Sequence, residues 1–241
     1  MEILKSEQYI SEKLNIQPIK DVANVFKKEP NVDENTRKFI EKNKLVWNTI
    51  TGRYDCKSDV CITVPKDIVI DGKLPIRFGT LNGSFDCSDC GLKSLEGAPL
   101  EVDCIFCVNN DLRTLEGCPQ MIWGDAIIES SGLVSLKGAP SKVYGNFSCH
   151  SNALESLEGS PKEVDGFFDC SSNCLNTLKG APQKIKSNFV CIGNEYDEPL
   201  TFDDTKFIKV GGNFYYKDTD IEIPDKKPKW LKGKFIDGDI H

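Results

Sequence analysis

Residues 143–161 read VYGNFSCHSNALESLEGSP, and the same phrase, with substitutions, runs along most of the 241-residue chain. Set on its central phenylalanine it is V-x-G-x-F-x-C-x-x-N-x-L-x-x-L-x-G-x-P. The F position recurs at Phe85, Ile105, Ala126, Phe147, Phe168 and Phe189, at spacings of 20, 21, 21, 21 and 21 residues. The C position gives Cys87, Cys107, Ile128, Cys149, Cys170 and Cys191, and the N position gives Cys90, Asn110, Ser131, Asn152, Asn173 and Asn194. Two leucine rows follow, Leu92, Leu112, Leu133, Leu154 and Leu175, then Leu95, Leu115, Leu136, Leu157 and Leu178. Gly-x-Pro closes five units, at Pro99, Pro119, Pro140, Pro161 and Pro182. A fixed period near twenty residues marks a solenoid.

Side-chain period gives the phrase its physical meaning. F-x-C is a short strand whose first and third residues share the inward face while the middle one faces solvent. An Asn at the following bend can hydrogen-bond backbone groups of adjacent turns that burial would otherwise leave unpaired, which makes this position a structural ladder. Gly-x-Pro cannot continue a helix, so the return side is expected to be extended or polyproline-like. One repeat buries too few apolar side chains to offset ordering some twenty residues, at roughly 1–2 kcal/mol of backbone entropy each. The coils therefore have to stack.

The F-x-C-x-x-N-x-L core resembles the leucine-rich repeat, and the 20–21-residue length with a Pro-containing return resembles the short repeats of leucine-rich effectors of pathogenic bacteria. Cys in the strand with L-x-G-A-P in the return is also similar to leucine-rich-repeat-like proteins of large tailed bacteriophages. The match is strong over residues 83–194 and weaker on both flanks. The resemblance implies a solenoid of leucine-rich-repeat type with a binding role, engaging a host or viral protein, and no reaction; the effectors that are ubiquitin ligases carry a separate catalytic domain for which no room remains.

Thirty-seven acidic against thirty basic residues give a net charge of −7, which disfavours nonspecific adhesion to DNA or anionic membrane. No apolar run approaches a membrane span, and the charged start MEILKSEQYISEKLN lacks a signal region. Eleven cysteines is an odd count, with five at the inward strand position where a reduced thiol behaves as a small hydrophobe, so a reducing cytoplasm is expected.

In chain order, residues 1–48 read as a helical N-terminal cap, with helices expected over 6–14, 19–28 and 33–44. Residues 49–82 read as a degenerate first repeat, Ile50-x-Gly52-x-Tyr54-x-Cys56. Asp59 falls at its ladder position and Cys61 at its leucine position, and about ten residues are inserted within 66–79. Residues 83–194 hold the regular repeats. Residues 195–241 hold degenerate repeats around Phe214 and Phe235 and a C-terminal cap, for about nine coils in all.

Three patterns invite chemistry. Cys87, Cys90, Cys104 and Cys107 have structural-zinc spacing, but the register already assigns Cys87 and Cys107 to the interior and Cys90 to the ladder, so no metal is expected and a zinc-binding protein built on these four is the alternative. Cys149 and His150 are adjacent and so point to opposite strand faces, which separates thiol from imidazole. Lys226, Lys227 and Lys229 lie in KKPKWLKGK, which reads as an edge-protecting cap, with nucleic-acid contact as the alternative.

The candidate site is the exposed strand face. Phe106, Val108 and Ile127 fall on adjacent coils about 5 Å apart and form an apolar patch flanked by Asp125, Glu129, His150 and Asp169. Such a patch marks a protein-partner surface unless another segment or a second copy covers it. No catalytic residue, cofactor or membrane partner is expected.

Overall fold

A computed structural model describes residues 27–56, 59–194, 209–219, 221 and 223–238. Successive repeat phrases close successive coils of a parallel β-solenoid of about eight turns with little helix. Each coil contributes two very short strands to two separate ladders. The front ladder carries the F-x positions: β3 (Ile62–Thr63), β5 (Phe85–Asp86), β7 (Ile105–Phe106), β9 (Ala126–Ile127), β11 (Phe147–Ser148), β13 (Phe168–Asp169), β15 (Phe189–Val190), β17 (Phe214–Tyr215) and β18 (Phe235–Ile236). Its register pairs Phe147 with Phe168, Phe168 with Phe189, and then Phe214 and Phe235 in turn, as the spacing predicts.

The second, back ladder lies on the side that the sequence assigns to an extended return. It comprises β2 (Arg53–Cys56), β4 (Phe78–Leu81), β6 (Glu101–Val102), β8 (Met121–Ile122), β10 (Lys142–Val143), β12 (Glu163–Val164), β14 (Lys184–Ile185) and β16 (Lys209–Val210), with β1 (Val46–Asn48) antiparallel at its edge. The valine that opens each phrase is its single inward residue, and Val102, Ile122, Val143, Val164 and Ile185 are fully buried. Gly and Pro between the leucines and this strand make the bend. Gly97, Gly117, Gly138, Gly159 and Gly180 all have φ between +85° and +97°, a region costly for residues with a Cβ, so glycine recurs there for conformational reasons.

The core is one column per inward position. Phe147 and Phe168 stack at 5.5 Å and Phe189 and Phe214 at 4.6 Å, with both leucine rows fully buried beneath. Where the phenylalanine position holds Ala126, the cysteine position holds Ile128, and both are fully buried: the volume lost at one inward site is returned at the next.

The polar ladder closes the bend after the front strand. Asn173 Oδ1 accepts from Leu154 N at 3.1 Å, and its amide donates to Cys149 O at 3.1 Å and Cys170 O at 3.0 Å, joining two coils. Asn152 bonds likewise, accepting from Ser131 N and Leu133 N and donating to Ile128 O and Cys149 O, each at 3.0 Å. The residue just before the ladder position is left-handed in coil after coil, at Asp89, Asn109, Ser130, Ser151 and Ser172, short polar types that bear this conformation best.

The first coil departs from the expected phase. Tyr54 pairs with Phe78 in the back ladder, not with Phe85 in the front one, and Ile62 is the residue that pairs with Phe85. Residues 66–79 are therefore not an insertion within the front register. They hold a 3-10 turn (Lys66–Ile68) and lead into β4, and Cys61, expected at an inward leucine position, is exposed. At the N-terminal end helix α1 (Glu34–Lys42) starts on Asp33, which accepts from Thr36 N at 2.9 Å. It turns Phe39 and Ile40 inward, with Phe39 edge-on to Phe78 at 6.2 Å. The helices expected over 6–14 and in most of 19–28 lie outside the described residues.

Asn173→Ala leaves the buried Leu154 N without its acceptor and takes one of two side-chain donors from each of Cys149 O and Cys170 O, and with an unsatisfied buried group worth about 1–3 kcal/mol it is expected to lower stability by about that amount. Asn176→Ala, exposed on the same coil, should cost under about 0.5 kcal/mol. Urea unfolding of the pair measures the difference.

Candidate functional site

On the front ladder the outward residues run in register from Asp86 through Phe106, Ile127, Ser148 and Asp169 to Val190. Phe106 and Ile127 are immediate neighbours, and Val108 stands beside them on the next outward row; all three are half-buried. Ser148 and Val190, expected to face solvent, are both 1% exposed. The reason is spacing: coils about 4.8 Å apart are closer than the reach of large side chains. Short Ser148 is shadowed by Ile127 and Asp169, and Val190 by Tyr215.

The polar flank is tied together. His150 Nε2 lies 3.0 Å from Glu129 Oε2, and its Nδ1 lies 2.7 Å from Ser151 Oγ. Asp169 Oδ1 accepts from Ser171 N at 2.9 Å, closing a local turn. Burial pushes the Asp169 carboxyl above the usual carboxylate range, against the opposing pull of its bond to Ser171. Asp125 belongs to the corner before β9, where it accepts from Asn146 N at 2.7 Å, so its carboxylate is committed to the backbone of the next coil.

Cys87, Cys90, Cys104, Cys107 and Cys149 are not in disulfides. The Cys149 thiol points inward to Asp169 O at 3.4 Å, away from the imidazole of His150, and burial pushes it well up. The Cys87 thiol is raised by its hydrogen bond with Cys107 and by burial, and Cys170 by burial and its bond with Cys191. Cys90 donates to Val64 O at 3.1 Å, and burial raises it to about 11. Half-buried Cys104 accepts from Asp125 N at 3.3 Å. Thus of the four cysteines with zinc spacing Cys87 and Cys107 bond to each other in the core, while Cys90 turns to Val64 O and Cys104 to Asp125 N. Among the described residues no three His, Cys, Asp or Glu side chains gather to hold a metal ion. Lys226, Lys227 and Lys229 are exposed, while the tryptophan they surround, Trp230, packs edge-to-face on Phe235 at 6.1 Å.

Sequence reasoning missed a second surface. Among the described residues, Leu100, Met121, Trp123 and Tyr144 are large apolar side chains left exposed along the back ladder, with Leu100 and Trp123 both 49% exposed. Trp123 lies 4.8 Å from Tyr144 and donates from Nε1 to Glu101 at 2.7 Å, and Lys142 Nζ sits 4.4 Å above the Tyr144 ring. Their signal was available: Met121, Trp123 and Tyr144 each stand next to an inward Ile122 or Val143, so a strand there turns them outward.

The geometry defines a parallel β-solenoid with two ladders that bear outward side chains. No family model, curated protein or solved structure matches the chain. Among the described residues no helix is long and apolar enough to cross a membrane.

Two outcomes are expected. Alkylation of the native protein by iodoacetamide should label exposed Cys61 and Cys174 within minutes and reach Cys87, Cys107, Cys149, Cys170 and Cys191 only after unfolding, counted by intact mass. Asp169 binds its proton more tightly folded than unfolded, so it lowers stability as pH rises from the unfolded carboxylate value, about 4, through the raised folded one. Asp169→Asn, able to keep the acceptor for Ser171, should therefore be more stable than wild type at pH 7, with the gain vanishing below pH about 4.

Proposed function

We propose that the chain is a non-enzymatic, cytoplasmic protein-binding scaffold of the leucine-rich-repeat type, with the front ladder as its binding face. On this reading helix α1 closes the N-terminal end of the core, and the partner is a host or viral protein. The observation that carries the reading is the register of Phe106 beside Ile127 with Val108 adjacent. Three large apolar side chains are held on the outer side of a rigid ladder, bordered by Glu129, His150 and Asp169. An apolar centre with a polar border is the composition by which protein interfaces bind. The columns beneath fix the positions of these side chains, so little is lost in ordering them on contact.

Replacing Phe106 and Ile127 together with glutamate should abolish capture of the partner from native cell extract, while circular dichroism and the urea midpoint stay close to wild type. The milder pair Phe106→Ala and Ile127→Ala guards against a folding defect, with capture expected to fall at least tenfold. Undiminished capture by both variants would move the binding face elsewhere.

A further inference from the structure

We propose that the back ladder is a homodimer surface, on which a second copy of this chain docks face to face with its solenoid axis reversed. The inference is independent of the front-face reading and rests on the order of side chains along two outward rows. The row before the inward valine reads Glu101, Met121, Lys142, Glu163, Lys184, Lys209, held in register coil by coil. In the row after it Trp123, Tyr144, Asp165 and Lys186 follow one another, each amide bonded to the preceding coil. Glu101, Met121 and the aromatic pair lie toward the N-terminal end, Lys142 and the carboxylates of Glu163 and Asp165 flank the centre, and Lys184, Lys186 and Lys209 lie toward the C-terminal end.

A twofold axis parallel to the strands, midway between the coils of Lys142 and Glu163, turns each row onto itself in reverse. Lys142 then faces Glu163 of the other copy, and Glu101 faces Lys209. Trp123 lies against the aliphatic stem of Lys186. Met121 lies against the aliphatic stem of Lys184, and Tyr144 offers its phenol to Asp165. Every contact occurs twice, and no like charges meet. The alternative twofold axis, along the solenoid, would set one row against the other at the same coil. It brings Glu163 onto Asp165 and Lys184 onto Lys186, which is repulsive.

The aromatic pair fits this occupant better than a stacking sugar or base. The Tyr144 ring is already covered by Trp123 and Lys142, and the indole N–H is taken by Glu101, so the pair presents edges outward. Within the chain Lys142 reaches Glu163 at 3.4 Å and Asp165 at 3.6 Å, Lys186 reaches Asp165 at 2.6 Å, and Lys184 pairs with Glu163. These pairs preset the charges before docking. Six coils span about 24 Å, a footprint smaller than that of stable specific interfaces, so a transient dimer with a dissociation constant on the order of 100 µM is expected.

Sedimentation velocity of the full chain from about 1 to 500 µM should show reversible monomer–dimer exchange. Lys142→Glu and Glu163→Lys should each weaken self-association about tenfold or more, since each opposes like charges twice at the centre. An equimolar mixture of the two variants should dimerise again, because both carboxylates of one then face both lysines of the other. Each variant lacks its own Lys142–Glu163 pair, so recovery on mixing cannot come from repaired folding; circular dichroism confirms that both are folded. Wild type that stays monomeric to 500 µM overturns the proposal, as do single variants that dimerise like wild type or a mixture that stays monomeric. Phe106→Glu/Ile127→Glu should leave the exchange unchanged, which separates this surface from the front one.

Discussion

A chain that turns back on itself within some twenty residues must bury the backbone of its bends, and the polar side chain that follows the front strand, an amide at Asn110, Asn152, Asn173 and Asn194, is what makes that burial tolerable. Asn173 satisfies Cys149 O on the coil before it and Cys170 O on its own, while its backbone N–H is taken by Asn194 of the next coil. Each coil thus completes its neighbour's hydrogen bonding, which is why the stack behaves as a unit. Ser131 and Thr219 hold the same place with a hydroxyl, donating to Cys107 O at 2.8 Å and Cys191 O at 2.6 Å while accepting from Asn110 N and Asn194 N. Lacking the amide's second donor hydrogen, they close the bend with fewer bonds.

Legibility followed from how strongly each position is constrained. The phenylalanine, cysteine, asparagine and leucine columns are inward on every coil, so their period could be read directly, and the late coils at Phe214 and Phe235 pair as that period requires. The back ladder escaped because each of its strands is two residues long and offers one inward side chain, too little for an alternation to stand out from an extended return. The first coil was misphased for a related reason. Tyr54-x-Cys56 imitates the front phrase in spacing and in burial, 1% and 4% exposed, yet it belongs to the other ladder, where it faces Phe78 and Leu81. A two-residue spacing cannot say which ladder a strand joins.

The candidate site was legible as a row and not as an exposure. Alternation placed Phe106, Ile127, Ser148 and Asp169 on one line, and they are on one line. What it could not give is how neighbours 4.8 Å away shade one another: Ser148 vanishes between larger residues, while Trp123 and Tyr144, on the face that was not anticipated, stand out. Hydrophobicity alone ranks these positions wrongly, because exposure on a ladder depends on the side chains one coil above and below.

Repetition also separates what the fold demands from what it leaves open. An inward column tolerates only volume-neutral exchange, as where Ala126 and Ile128 replace the phenylalanine and cysteine of other coils, since any residual gap would be felt by both neighbours. Outward rows carry no such demand. Alternating charges would be enough to keep them soluble and mutually paired, as Lys142, Glu163 and Lys184 are. Stacking does not require the back face to gather Trp123, Tyr144 and Glu101 at one end and Lys184, Lys186 and Lys209 at the other. The like charges of that lysine-rich end repel weakly across coils, and Glu163 and Asp165 pair with Lys184 and Lys186 there. An order that the core does not impose and that costs some repulsion is accounted for by something outside the coil, and on this ladder a reversed copy of the same rows would set Glu101 against Lys209 and lay Met121 and Trp123 along the stems of Lys184 and Lys186.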